Sequence, residues 1–265
     1  MDSFRLFILG AIQGITELLP VSSTGHILIF AELLKLGDIS SSLLVLFHLG
    51  TTLAILFFLG KKLFRGFFTK KKWGFYLKVF VATIPTSLIG FFFEDILSKK
   101  LRATWEIAIA LIIWGIVMIL LERTEKKRKV VTFDLEKITW RQAILTGMAQ
   151  TVALIPGTSR SGITTIAGIL TGMEKYLALE FSFILSIPVL MGSFVWYLIK
   201  NPRGNPLFLT GISSPICSFV IIISSSFLFG LLSLVLIKEV KKKDWLTLFG
   251  IYRIVLGIII LLTHI

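Results

Sequence analysis

Six apolar stretches, near residues 43 to 60, 73 to 93, 103 to 121, 177 to 199, 211 to 237 and 245 to 264, set the frame for this chain. Each is close to the roughly 20 residues that an α-helix needs to cross a bilayer. Backbone surrounded by lipid must satisfy its own N–H and C=O groups, which leaves helices and closed barrels, and runs this long select helices. With 55% apolar residues and a mean hydropathy of +0.89, the 265 residues carry more apolar surface than a water-soluble fold covers. The expected fold class is all-α, a polytopic membrane protein with about six transmembrane helices.

The net charge of +13 does not indicate a nucleic-acid partner, because the basic residues sit in short loops between apolar segments and not along one solvated face. They read as orientation signals and contacts to membrane lipids. Cys217 is the one cysteine and lies in an apolar run. A disulfide framework is excluded, and a packed core cysteine is expected. No small-residue cleavage site follows the first apolar run, so the N-terminal segment is expected to remain in the mature protein.

Loops 61 to 72, 122 to 141 and 238 to 244 are dense in Lys and Arg, whereas 94 to 102 and 200 to 206 hold few, even with Arg5 and Lys35 added to their side. The dense loops are expected to face the cytoplasm. The span near 43 then starts outside and the span near 177 starts inside. Two apolar regions, 4 to 35 and 142 to 172, fit this alternation only if each enters and returns on its own side. They are expected to be oppositely oriented re-entrant helical hairpins.

A repeat agrees with this. Leu18-Leu19-Pro20-Val21-Ser22-Ser23-Thr24-Gly25 lies over Leu154-Ile155-Pro156-Gly157-Thr158-Ser159-Arg160-Ser161 at an offset of 136, which also lays Phe47 and Leu49 over Phe183 and Leu185. The expectation is one integral membrane domain, residues 1–265, with an inverted-topology repeat of about 4–121 and 139–264.

Irregular backbone at membrane depth is tolerated where it is buried in protein or lines a wet cavity. In each repeat a helix runs into Pro, a hydroxyl-rich loop follows, and a second half-helix is expected to begin, at His26 and at Ile163. Free N–H groups at such N-termini make anion sites. Ser22, Ser23, Thr24, Thr158, Ser159 and Ser161 add donors, so two loops are placed to grip one diphosphate from both sides.

The charged residues divide between the repeats. An ionisable residue inside a membrane segment is a functional hypothesis by default. Arg160, whose planar fork matches phosphate oxygens, is the expected clamp. Glu17, with Gln13 four residues earlier on the same helical face, is expected to accept a proton from a nucleophile or to ligate a divalent cation such as Mg²⁺, with both facing one cavity. His26 is the expected proton carrier. Ser23 reads equally as nucleophile or as phosphate donor. His48 is expected to be a packed histidine, and His264 an interfacial one.

At these residues the chain resembles the undecaprenyl-diphosphate phosphatase family of bacteria, also known as bacitracin resistance proteins. The resemblance rests on Gln13-Gly14-Ile15-Thr16-Glu17, on Leu19 to His26, and on Pro156-Gly157-Thr158-Ser159-Arg160-Ser161-Gly162-Ile163-Thr164, and extends over essentially the whole chain. Gln13 stands where many members have Glu. The resemblance implies a bacterial inner-membrane enzyme, its site opening outward, that hydrolyses undecaprenyl diphosphate with a divalent cation, Mg²⁺ or Ca²⁺, and regenerates the lipid carrier of peptidoglycan synthesis. It implies a catalytic core of Glu17, His26 and Arg160, support from Ser22, Ser23, Ser159 and Thr164, and a homodimer.

The alternative class is a transporter or flippase of polyprenyl phosphate lipids, since inverted repeats and broken helices also build carriers. An acid, an imidazole and an arginine beside hydroxyl-rich loops make a fuller set than binding requires. The acid-phosphatase-like lipid phosphatases are disfavoured, because no histidine lies between His48 and His264.

Overall fold

The computed structural model describes residues 2–37, 39–100, 104–125, 128–200, 215–240 and 244–263. His264 and the loop residues Arg102, Lys126, Lys127, Arg203 and Lys241 to Lys243 lie outside them. The described residues include ten α-helices: α1 Ser3–Leu18, α2 Ser23–Leu33, α3 Ser41–Phe64, α4 Lys70–Lys100, α5 Thr104–Glu125, α6 Trp140–Gln150, α7 Arg160–Leu170, α8 Lys175–Lys200, α9 Pro215–Val240 and α10 Trp245–Thr263. The only bridge among them is the isolated pair Thr132 and Met173.

The six helices α3, α4, α5, α8, α9 and α10 are long and apolar enough to cross a membrane, and they coincide with the six expected stretches. Region 4 to 35 forms α1 and α2. Region 142 to 172 forms α6, a 3₁₀ turn over Thr151–Leu154, and α7. At about 1.5 Å per residue, the 11-residue helices α2, α6 and α7 reach about 16 Å, half of a bilayer core, and the 16-residue α1 reaches about 24 Å, still short of the whole. Each half of the chain thus runs short, short, long, long, long.

Local chemistry sets the breaks. Leu19, ahead of Pro20, is extended and ends α1. Ser22 caps α2 from a left-handed conformation with φ 72°, and Ser159 caps α7 by accepting a hydrogen bond from the Gly162 N–H at 3.2 Å. The half-helices therefore begin at Ser23 and Arg160, three residues before the expected His26 and Ile163, because the hydroxyl residues enter the helical turn and do not merely precede it. Gly157, at φ +87°, is required twice over: a Cβ there would also fall 2.7 Å from the Ile107 carbonyl oxygen.

Small residues let the long helices approach. A Cβ on Gly115 of α5 would lie 2.7 Å from the Gly250 carbonyl oxygen of α10, and one on Gly250 would lie equally close to that of Gly115. Gly14 of α1 lies against the Ser226 backbone of α9 in the same way. Without a solvent-driven hydrophobic term between helices in lipid, this close packing is a main source of association.

The helix ends that flank the basic loops meet at one end of the bundle. Lys62 at the end of α3 pairs with Glu180 near the start of α8 at 2.6 Å, and Lys175 pairs with Glu122 at the end of α5, also at 2.6 Å. Glu122 also accepts from the Leu246 N–H of α10. Lys71 and Lys72 both reach Glu136, in the segment before α6. Cys217 corrects the sequence reading, since it is exposed on α9. In a bilayer an outward-facing position is apolar, so an apolar run does not by itself place a cysteine in the core.

Candidate functional site

The loops after Pro20 and Pro156 converge on one cavity of about 310 Å³. Of the residues singled out from sequence, Glu17, Ser22, Ser23, Thr24, Thr158, Ser159 and Arg160 line it. Its remaining walls come from α3 (Leu44, Val45, His48), from Thr86 of α4, from Gln150 and the 3₁₀ turn (Ala153, Leu154), and from α8 (Val189, Leu190, Ser193). Pro85 and Pro188, within α4 and α8, immediately precede the lining residues Thr86 and Val189, so two spanning helices each lose a backbone donor beside the cavity.

Glu17 is the hub. Its Oε1 accepts from Arg160 Nη2 at 2.6 Å, while Oε2 accepts from Ser23 Oγ at 2.5 Å and from Gln13 Nε2 at 2.9 Å. The carboxylate is buried, and three donors take up its two oxygens. The pair Glu17–Arg160 joins α1 to the start of α7 across 143 positions. Arg160 also reaches the Ser182 carbonyl at 3.4 Å, so its guanidinium faces the cavity already braced on two sides.

The other expected residues take different places. Gln13 does not line the cavity. It stands behind Glu17, and its amide also donates to His48 Nδ1 at 2.9 Å. His48, expected to be packed, lines the cavity with its Nδ1 3.4 Å from Glu17 Oε2. Accepting at Nδ1 leaves the proton of the neutral ring on Nε2. His26 is buried away from the cavity: Nδ1 faces the Ser22 carbonyl at 2.8 Å and Nε2 faces the Tyr252 hydroxyl at 2.6 Å. A carbonyl can only accept, so Nδ1 carries the proton and Nε2 accepts from Tyr252. Ser161 donates to the Leu19 carbonyl at 3.0 Å and Thr164 to Ser182 Oγ at 2.6 Å, contacts that tie α7 to the first loop and to α8.

Arg253 of α10, unflagged by the sequence, is fully buried and holds both loops. It donates to the carbonyls of Pro20 at 3.1 Å, of Gly157 at 2.9 Å and of Leu111 at 3.5 Å. A charged residue inside the last apolar stretch was the available signal.

A divalent cation does not fit this donor set as a group resident on the protein. Glu17 is the one carboxylate among the lining residues, both of its oxygens face donors, and a guanidinium stands 2.6 Å from one of them. Among the described residues no three His, Cys, Asp or Glu side chains gather to hold a metal.

The family model described as "Bacitracin resistance protein BacA" matches residues 6–259. The chain belongs to the bacitracin resistance protein family. Among its relatives, the protein named undecaprenyl-diphosphatase 1 from Clostridioides difficile (strain 630) is 39% identical over 276 residues, covering 98% of this chain and 96% of the relative. Undecaprenyl-diphosphatases from Lactobacillus delbrueckii subsp. bulgaricus and Enterococcus faecalis (strain ATCC 700802 / V583) are 35% and 36% identical, covering 98% and 97% of this chain and 97% and 96% of their own lengths. Family membership and the six spanning helices describe a multi-pass membrane protein.

Proposed function

We propose that the chain is an undecaprenyl-diphosphate phosphatase, a hydrolase that releases inorganic phosphate and leaves the lipid monophosphate. One observation carries the chemistry: a serine hydroxyl, a buried carboxylate and an arginine are hydrogen-bonded in series within a cavity walled by the hydroxyls of two loops. The names of the relatives support the same substrate.

In this reading Glu17 takes the Ser23 proton as Oγ bonds to the terminal phosphorus. The bond to the bridging oxygen breaks, and the lipid monophosphate leaves with the electron pair and the proton. Water then attacks the phosphoserine and gives a proton to Glu17, the bond from phosphorus to Ser23 Oγ breaks with its electron pair, and Glu17 passes that proton to Oγ as inorganic phosphate departs. Arg160, swinging from Glu17 toward the phosphoryl oxygens, offsets the charge that develops there. His48 is the imidazole nearest these events. His26 acts on the loop, holding the carbonyl of Ser22 in its left-handed turn. A cation, Mg²⁺ or Ca²⁺, arrives with the diphosphate, so Mg²⁺ alone should not raise the thermal midpoint of the lipid-free protein.

The two short helix pairs are read as re-entrant hairpins of an inverted repeat, in a bacterial cytoplasmic membrane with the basic loops inside. Leu44 and Val45 lie within the first two turns of α3, and Val189 to Ser193 lie well along α8 from Lys175. With that orientation the cavity sits in the outer half of the bilayer and opens outward. Labelling at single cysteines near Lys70 to Lys72 from outside intact cells tests the orientation. A homodimer is part of the reading by resemblance alone and is tested by mass measurement in detergent.

The deciding assay is phosphate release from undecaprenyl diphosphate by purified protein, comparing wild type with Ser23→Ala, Glu17→Gln and Arg160→Ala. Folded variants are expected to lose roughly 10² or more in rate, as removal of a nucleophile, base or charge stabiliser does. Movement of intact lipid across vesicles without cleavage by wild type would replace the enzyme with a flippase.

A further inference from the structure

Gln150 closes α6 where it tightens into the 3₁₀ turn, and its side chain is 1% exposed yet lines the cavity. Its orientation is fixed by a relay. The Thr86 hydroxyl donates to the Gly147 carbonyl at 3.2 Å, so Thr86 Oγ1 has only acceptor capacity left on the side of Gln150. Gln150 Nε2 fills it at 3.3 Å. Oε1 is thereby left buried and without a hydrogen-bond partner, on a residue that faces the cavity holding Glu17, Ser23 and Arg160.

A buried carbonyl oxygen without a partner is destabilising, and a ligand carrying protons would offset that cost. An ionised diphosphate offers only acceptors and does not meet this need. Water does. We infer that Gln150 is a positioning residue that holds the water consumed in hydrolysis, accepting one of its protons at Oε1 so that an oxygen lone pair faces phosphorus. This rests on the phosphatase reading above, and holds whether the phosphoryl group under attack is on the substrate or on Ser23. The water oxygen forms the new P–O bond, the bond to the departing oxygen breaks with its electron pair, and the second proton goes to Glu17. Nucleotide hydrolases orient attacking water with a glutamine in a comparable way.

The test compares wild type with Gln150→Leu and Gln150→Glu in undecaprenyl diphosphate turnover, with and without added methanol. Leu keeps the bulk and removes the acceptor, and is expected to lower kcat by roughly 10- to 100-fold at a KM within about twofold, the range of a lost orienting contact. Glu keeps an oxygen and is expected to recover part of the rate. Methanol has one hydroxyl proton, needed by the base, so the glutamine discriminates against it. The ratio of methyl phosphate to inorganic phosphate should rise several-fold in Gln150→Leu, a change that a loss of packing alone does not produce. An unchanged ratio, a defect confined to KM, or a shift only in the Mg²⁺ concentration needed would each overturn the assignment. Inactive wild type would instead overturn the phosphatase reading.

Discussion

Arg160 Nη2 stands 2.6 Å from Glu17 Oε1, and both side chains are almost wholly enclosed by protein, 12% and 5% exposed. Breaking such a pair by removing one partner leaves an uncompensated buried charge, commonly worth about 3–5 kcal/mol. Arg160→Ala is therefore expected to lose more thermal stability than the double variant Glu17→Gln with Arg160→Ala, although both are inactive. A double-mutant cycle on unfolding in detergent reads the difference, and simple additivity would mean that the pair contributes nothing to the fold.

Arg160→Lys extends the argument to catalysis. A lysine offers a point charge without the fork that reaches Glu17 Oε1 and the Ser182 carbonyl together. The expected loss in kcat is ~10-fold or more with the thermal midpoint close to wild type. Near-native turnover would show that charge alone suffices.

His26 and Tyr252 make one unit, with ring planes within 4° of parallel, centroids 5.7 Å apart and a hydrogen bond between their edges. If His26 serves by fixing the Ser22 turn, Tyr252→Phe reproduces part of the His26→Gln defect, and the double variant is no worse than His26→Gln alone. Full activity in Tyr252→Phe beside a dead His26→Gln would point instead to direct proton transfer by the imidazole. Initial rates in the same assay decide between the two.

Arg253 ties three backbone carbonyls that belong to both loops and to α5, and among the described residues its hydrogen-bond partners include no carboxylate. Arg253→Met fills the space but strands those carbonyls, at about 1–3 kcal/mol for each one left unsatisfied. A fall in thermal midpoint together with a loss of kcat is expected, since the freed loops no longer hold Ser23 against Glu17. Arg253→Lys, able to meet fewer of the carbonyls, should lie between. Wild-type behaviour in Arg253→Met would remove the residue from the site's support.

How far the sequence reached depends on which signal each feature left. The six spans were legible because lipid imposes length and apolarity directly, and Pro20 and Pro156 marked the two loops because each leads into a hydroxyl-rich stretch, whereas Pro85 and Pro188 lie within α4 and α8 and do not end them. Glu17, Ser23 and Arg160 stood out as polar groups in apolar surroundings. Side-chain direction left no such mark: His26 sits within the first motif yet turns toward α10, while His48, in an ordinary apolar helix, faces the cavity. Gln150 and Thr86 come from segments far apart in sequence, and only their packing reveals a shared role. The half-helix starts, Ser23 and Arg160, lie 137 positions apart although the motifs repeat at 136, so the caps fall on different motif positions.

At the basic end of the bundle, Glu136 accepts from Lys71 and Lys72, and these hydrogen bonds hold its carboxyl below the ordinary value of 4.5. A carboxylate whose pKa is lower folded than unfolded contributes stability above the unfolded value and loses it as pH falls through the folded one. The thermal midpoint of wild type should therefore decline below about pH 4.5 more steeply than that of Glu136→Gln, and the two curves should converge in acid. The side chain is 26% exposed, so raising salt should narrow the gap at neutral pH through screening. Parallel curves from pH 7 to pH 3 would show that α4 is not anchored to the segment before α6 by this charge, and would leave the hydrogen bonds from Lys72 to the Lys62 carbonyl and from Tyr76 to the Leu63 carbonyl as links between that end of α4 and α3.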